Sequence, residues 1–417
     1  MELSEDFKRC LHELETTRDC WFITGKAGTG KSTLLRYFRQ HTLKKIAVLA
    51  PTGIAALNVG GQTIHSFFGF PSRPLKPEDY QKRQNPKIFQ ALDALVIDEV
   101  SMVRVDLMDS IDRFLRIQRD NPAPFGGVQM IFFGDLFQLP PVVASREEAQ
   151  LLQKHYESPY FFSAKVFTQL DIQVFELREV YRQSQRRFIR LLDAVRWSEM
   201  DLEDLQELNE RHKPNFESKD YYIILSARNK EVDEINQQRL NALDTDEYQY
   251  IAQISGQVPE PLPAESPLRL RIGAQVMFLK NDPKRRYVNG SIGKIVELDV
   301  DKILVELPKK GIIELERAEW QVFKHELNNG GGIEAKAVGT YSQYPLRLAW
   351  AITIHKSQGK TFDKVIIDLG KGAFEYGQTY VALSRCTSLE GIVLRRPIEP
   401  RDILVDPRIV DFYLDHR

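Results

Sequence analysis

Residues Gly25-Lys26-Ala27-Gly28-Thr29-Gly30-Lys31-Ser32 fit the pattern G-x-x-x-x-G-K-[ST] at every position. A short apolar run, Trp21-Phe22-Ile23-Thr24, precedes them, and a helical stretch, Thr33 to Gln40, follows. Strand, glycine-rich loop and helix in that order place the segment in a parallel α/β sheet. The glycines let backbone N–H groups approach phosphate oxygens, and the start of the helix adds a positive dipole end. The loop is therefore expected to cradle a nucleotide through Gly25, Ala27, Gly28, Thr29, Gly30, Lys31, Ser32 and Thr33. Lys31 would neutralise the β- and γ-phosphates, and Ser32 would ligate Mg²⁺. The plain alternative is a glycine turn that merely caps a helix, and the complete pattern in its full context argues against it.

A second acidic element supplies the partner. Leu95-Val96-Ile97 reads as a buried strand that ends in Asp98-Glu99. Asp98 is expected to hold the metal and Glu99 to polarise the attacking water. A third strand, Met130 to Phe133, runs into Gly134-Asp135-Leu136-Phe137-Gln138-Leu139-Pro140-Pro141-Val142. There Gln138, on a turn stiffened by two prolines, can sense the γ-phosphate. Together these segments predict an NTPase, without saying what its hydrolysis drives.

Composition bounds the rest. The 417 residues are 42% hydrophobic and 28% charged, with a formal net charge of −1, which excludes a disordered chain and a histone-like polycation. No run approaches the roughly 18 apolar residues that span a bilayer. The charged N-terminus lacks a signal core, so secretion is not expected. Cys10, Cys20 and Cys386 form no CxxC or Cys/His cluster, which argues against a disulfide framework and a structural zinc site.

The motifs, in order along the chain, resemble those of superfamily-one helicases, most closely the petite-integration-frequency (PIF) family of DNA helicases. The resemblance rests on Gly25 to Ser32, Ala50 to Ala56, Gly61-Gln62-Thr63-Ile64-His65-Ser66-Phe67-Phe68 and Asp98 to Met102. It continues through Pro124 to Gln129, Gly134 to Val142, Leu177 to Gln183, Ile354 to Gly359 and Tyr380 to Arg385. One departure is visible. No glutamine precedes the phosphate loop, where the family carries an adenine-reading one, so hydrolysis is better supported than a preference for ATP.

The resemblance implies two tandem RecA-like parallel-sheet motor domains with a small wedge insertion and an inserted β-rich, Src-homology-three-like domain. The expected boundaries are 1–180 for the first motor domain, with the wedge at 71–86, then 181–230 with 345–417 for the second. Residues 231–344 form the insertion. The family implies an ATP- and Mg²⁺-dependent helicase moving 5′-to-3′ on single-stranded DNA. Its implied substrate is duplex or structured DNA, G-quadruplexes included, with roles in DNA repair, recombination and telomere maintenance. Arg182 and Arg385 are the implied arginine fingers, reaching the nucleotide across a cleft. A RecD-type helicase and a DNA-binding scaffold with weak turnover are the alternatives. The intact Lys31, Asp98, Glu99, Gln138, Arg182 and Arg385 argue against the scaffold.

DNA contact is expected from Thr52, Gly53, His65 and Phe67, and from Thr353, His355, Lys356, Ser357 and Gln358. Tyr341 to Arg396 carries eight Lys/Arg against four Asp/Glu, the local positive balance that a phosphate track requires. His65, Phe67 and His355 have an ordinary reading as core residues. Lys280, Lys284, Arg285, Arg286 and Tyr287 form a basic loop that is either a further contact or a solvated tip. The expected partners are single-stranded DNA and DNA junctions, with no membrane. A monomer supplies every motif, and the lack of long flanking extensions points to a bacterial or phage-type enzyme in the cytoplasm.

Overall fold

Six strands lie side by side in a computed structural model that describes residues 3–416 apart from 72, 74, 144, 218–220, 309 and 329. They are β1 (Cys20–Gly25), β2 (Ile46–Ala50), β3 (Gln62–Thr63), β4 (Ala94–Ile97), β5 (Gln129–Phe133) and β6 (Ile172–Leu177), in the order β3-β2-β4-β5-β1-β6. Every pairing is parallel. β4 and β5 are buried at every position, as expected of strands covered on both faces. The helices α1 (Glu5–Thr16), α2 (Lys31–His41), α3 (Gly53–Val59) and α4 (Ile64–Phe68) follow or precede these strands. Phe7, Cys10 and Leu14 of α1 pack with Leu34, Leu35 and Phe38 of α2 over Ile23, Val96 and Ile131 of the sheet.

This sheet belongs to a compact unit of residues Met1–Tyr181, Gln321–Gly339 and Pro407–Arg417. The last two segments lie outside the boundaries expected for the first motor domain, and specific bonds bring them in. In the C-terminal helix Pro407–Asp415, the Tyr413 hydroxyl lies 2.6 Å from the Thr24 hydroxyl, and its ring stacks on Phe137. In the other segment His325 reaches β2 and β3.

The proline-rich segment 71–86 is anchored where it is described; Ser72 and Pro74 lie outside the described residues. A 3₁₀ turn, Pro77–Tyr80, puts Tyr80 against the helix Val105–Arg119, 3.0 Å from the Ser110 hydroxyl and under the Arg113 guanidinium. Asp79 accepts from Arg73 at 2.7 and 3.0 Å and from the Lys76 N–H. Lys82 pairs with Asp120, and Arg83 donates to the Phe68 carbonyl. Arg73, Lys82 and Arg83 are thus engaged by the protein.

The second unit comprises Arg182–Trp320 and Thr340–Asp406. It holds a four-stranded parallel sheet in the order 351–353, 223–226, 365–368, 392–394. It also holds a five-stranded antiparallel sheet, 311–314, 303–307, 292–298, 275–278, 346–348, with its own core around Val276, Phe278, Ile295, Val305 and Leu346. Mixed α/β architecture with a β-rich insertion is the expected fold class.

Candidate nucleotide and nucleic-acid sites

The loop after β1 is shaped by glycine where nothing else fits. Gly25 has φ +148°, and a Cβ there would lie 2.6 Å from the Leu177 carbonyl oxygen and 2.8 Å from the Thr29 hydroxyl. Gly30 is left-handed at φ +84° and opens α2, with the Phe7 ring 3.0 Å from where its Cβ would stand. Lys31 folds back over the loop, its Nζ donating to the carbonyls of Gly25 at 2.6 Å and Lys26 at 3.1 Å. Thr29 is buried and closes the turn onto Lys26, Ala27 is buried, and the Thr33 N–H bonds to Gly30. Ser32 is exposed at the first turn of α2.

Parallel neighbours bring the other groups to the same edge. β4, β5 and β1 are adjacent, so the residues that follow each leave the sheet on one side. Asp98 is 7% exposed just beyond β4. Burial, then the negative Glu99 beside it, raise its carboxyl above the ordinary carboxylate range, while the Lys31 charge pulls the other way. Glu99 sits at φ 50°, a conformation rare for a residue with a side chain, and begins a 3₁₀ turn. Gln138, after β5, is buried and donates from Nε2 to Asp135 Oδ2 at 3.2 Å. The cradle at Gly25 and Gly30, the curled lysine and the buried carboxylate fit a magnesium–nucleotide triphosphate.

Sequence reasoning missed Tyr181 here. Its N–H bonds to the Gly28 carbonyl at 2.9 Å and its ring approaches Gly30, yet it is 57% exposed. Its place in Val180-Tyr181-Arg182, next to the expected arginine finger, is the sequence signal for it.

In the second unit, Arg182 and Arg385 meet at one turn. Arg182 Nη1 donates to the Ser384 carbonyl at 3.2 Å, and Gln183 Nε2 donates to Ser384 and Cys386. Arg385 is 1% exposed and donates to the Val381 carbonyl and the Ser384 hydroxyl. Both guanidinium groups are therefore held in defined positions.

The residues expected at nucleic acid divide by burial. Thr52 accepts from the Ala55 N–H and starts α3, and Gly53 beside it faces open space. His65 is half-buried on α4, and burial, then Arg104, push it below the ordinary histidine value, so it is neutral near pH 7. Phe67 corrects an expectation. It is buried edge-on against Phe68, Phe89 and His325 and offers no face for stacking. Thr353 is buried and accepts from the Lys356 N–H at the start of the short helix Ile354–Ser357. Ser357 also corrects an expectation. It is fully buried, and its hydroxyl is spent on the Ile354 carbonyl. His355 Nε2 lies 3.0 Å from Glu375, Lys356 is exposed, and the Gln358 amide nitrogen is buried with no hydrogen-bond partner among the described residues. A strand end, a capping threonine and the tripeptide Thr-Ile-His occur in both units, at 63–65 and 353–355. In the basic loop, Lys284 pairs with Glu316, Arg286 with Asp282, and Tyr287 is buried on Phe278. Two of its four cations are thus ion-paired.

The family model for PIF1-like helicases matches residues 3–204, and that for the 2B domain of DNA helicase Pif1 matches 258–298. ATP-dependent DNA helicase Pif1 of Bdellovibrio bacteriovorus is 32% identical over 99% of this chain and 92% of its own length. A zebrafish relative, ATP-dependent DNA helicase PIF1, is matched over only 61% of its length. The crystal structure of Bacteroides sp. Pif1 in complex with ADP-AlF4 is 38% identical, with a TM-score of 0.93 over 100% of this chain and 97% of that one. Bacteroides Pif1 bound to single-stranded DNA matches over the same shares with a TM-score of 0.71.

Proposed function

The chain belongs to the PIF1-like helicase family and is an ATP-dependent DNA helicase, and we propose that it moves 5′-to-3′ on one strand with the residue roles given below. The observation that carries the roles is the convergence, at one edge of the parallel sheet, of the Gly25–Ser32 loop, Asp98-Glu99 and Gln138. ATP, when bound, would supply the phosphoryl group, and Mg²⁺ held by Ser32 and Asp98 would supply positive charge beside the phosphates. Lys31 binds the phosphates; its position over the loop leaves it pre-placed. Ser32 and Asp98 hold the metal. Glu99 orients water and takes its proton, and Gln138 exchanges its bond to Asp135 for one to the substrate. Arg182 and Arg385 stabilise charge that develops on the transferring group, which acts on turnover more than on binding.

The chain binds DNA, and the proposed contacts are Thr52, Gly53, His65, His355, Lys356 and Gln358, with Thr353 as the cap that fixes the second group. Single strands and junctions are the proposed partners, including G-quadruplex-bearing DNA. The proposed division is a first motor domain of residues 1–180, a second of 181–230 with 345–417, and a β-rich insertion of 231–344; the compact unit of the six-stranded sheet also takes in Gln321–Gly339 and Pro407–Arg417. Residues 71–86 are assigned as a wedge that is braced on its own domain. The enzyme is proposed to act as a monomer in the cytoplasm, in keeping with three buried, unbridged thiols. The deciding experiment compares unwinding of duplexes tailed at the 5′ or the 3′ end, alongside ATPase with and without single-stranded DNA. Unwinding of the 3′-tailed duplex alone overturns the direction, and ATPase indifferent to DNA overturns the coupling.

A further inference from the structure

β3 is two residues long and pairs with Leu49 and Ala50 of β2, so its ladder stops before Val48. The Val48 N–H is met instead by a side chain, donating to Nε2 of His325 at 3.4 Å. His325 lies on the strand Ala318–Leu327, which turns back through Ile333–Gln343. Gly61 makes room for close packing at this spot, since a Cβ on it would stand 2.3 Å from the Val48 carbonyl oxygen.

Since Nε2 accepts, the ring proton of neutral His325 sits on Nδ1, which faces Gln62 Oε1 at 3.3 Å. The same amide oxygen accepts from the His325 N–H at 3.1 Å. The other end of the amide, Nε2, donates to the Ser66 hydroxyl at 2.8 Å. Gln62 and His325 are 5% and 7% exposed, so these bonds form in a site where an unmade one is expensive. The imidazole also meets the Phe67 ring edge-to-face at 5.7 Å. Ser66 and Phe67 follow His65 directly on α4, and Gln62 immediately precedes Thr63, the cap that starts this helix. The amide is thus clamped at both ends, and the turn carrying His65 is held from below.

We propose that His325, acting through Gln62, is a positioning residue for the DNA-contact turn Thr63–Phe67. This rests on the reading of His65 as a DNA contact. His325 itself touches no substrate; it fixes the rotamer of Gln62 and the seat of Phe67, and so the direction in which His65 is presented.

The test measures ATPase as a function of single-stranded DNA concentration for His325→Ala, Gln62→Ala, the double variant, His325→Asn and His65→Ala. His325→Ala and Gln62→Ala are each expected to raise the DNA concentration for half-maximal stimulation about five- to tenfold, with DNA-free ATPase within twofold of the parent. The double variant should be no worse than the worse single one, because both break the same chain of bonds. His325→Asn should recover part of the loss, since its amide N–H can replace Nδ1–H toward Gln62. An unchanged half-maximal concentration in His325→Ala, or additive losses in the double variant, overturns the inference. Equal loss of DNA-free and DNA-stimulated rates also overturns it, as that marks a general structural role. His65→Ala separates the two readings. If it leaves the half-maximal concentration unchanged, the contact reading fails; if it raises the value while His325→Ala does not, only the positioning role fails.

Discussion

Lys31 keeps its ammonium on the carbonyl oxygens of Gly25 and Lys26, within electrostatic reach of the Asp98 carboxyl. Lys31→Ala should therefore remove ATPase and unwinding while the fold survives, as read by steady-state turnover and a melting curve. Arg385 is bonded to its own helix and turn, so its truncation should act differently. Arg385→Ala is expected to lower turnover by roughly 10³-fold, the scale of a lost arginine finger, with the KM for ATP changed far less. A variant that only weakens ATP binding contradicts the finger role. His325 offers a prediction in pH. Burial, and then the Arg39 charge, lower it from 6.5 to about 4 in the folded protein. Below about pH 6.5 the unfolded chain binds a proton that the folded one refuses. The associated stability is complete above that pH and declines as pH falls toward about 4, by at most about 3 kcal/mol. His325→Asn should lose stability at pH 7 yet show a smaller drop in Tm between pH 7 and pH 5 than the parent. Equal drops contradict a buried neutral imidazole.

The segment 71–86 shows what an element's composition conceals. Its prolines and cations predict a protruding arm, but Asp79 gathers Arg73 and the Lys76 N–H, and Tyr80 is sunk against Ser110 and Arg113. A wedge must be stiff to split a duplex, and these bonds stiffen it. Asp79→Ala should lower unwinding of a 5′-tailed duplex several-fold and leave single-strand-stimulated ATPase intact; loss of both would assign the segment to the motor core. The phosphate loop, the acidic strand end and the Gln138 turn were legible because each is a local pattern next to an apolar strand. Strands 275–278, 292–298, 303–307 and 365–368 are legible as short runs rich in β-branched and other apolar residues. The burial of Phe67 and Ser357 was not, because an aromatic or hydroxyl within a motif reads alike whether it faces solvent or core. The hairpin 318–343 was missed despite the glycines at 330–332, as its strands carry mixed polarity. His325 could not be found at all from spacing, because its partners Val48 and Gln62 lie more than 260 residues away.

At the scale of the molecule, a net charge of −1 leaves nucleic-acid affinity to local fields. The segment 341–396 carries the positive excess, with Lys356 exposed within it. Single-strand affinity should fall steeply and log-linearly with salt as bound cations are released from the DNA, and Lys356→Ala should make the slope shallower by about one contact. A slope unchanged by that substitution would remove Lys356 from the track. The count of copies on one strand is open to direct measurement by sedimentation with a short oligonucleotide, where one protein per strand with full activity supports the proposed monomer.

Cys10, Cys20 and Cys386 are all buried and unbridged. Burial pushes the Cys10 thiol up to about 12 and the Cys386 thiol up to about 11, and raises Cys20 as well. A thiol that neither ionises nor meets reagent does not alkylate, so the folded protein should be silent toward maleimides at neutral pH. Each of the three becomes reactive only when its surroundings open. Cys10 reports on the helix that buttresses the phosphate loop, Cys20 on the first strand of the six-stranded sheet, and Cys386 on the turn that holds Arg182. Mass spectrometry of pulse-alkylated samples along a denaturant series would then read the chain's own sulfur atoms as three separate clocks of local opening. A cysteine introduced on the surface would take a fluorophore at that position alone, with no native residue removed first.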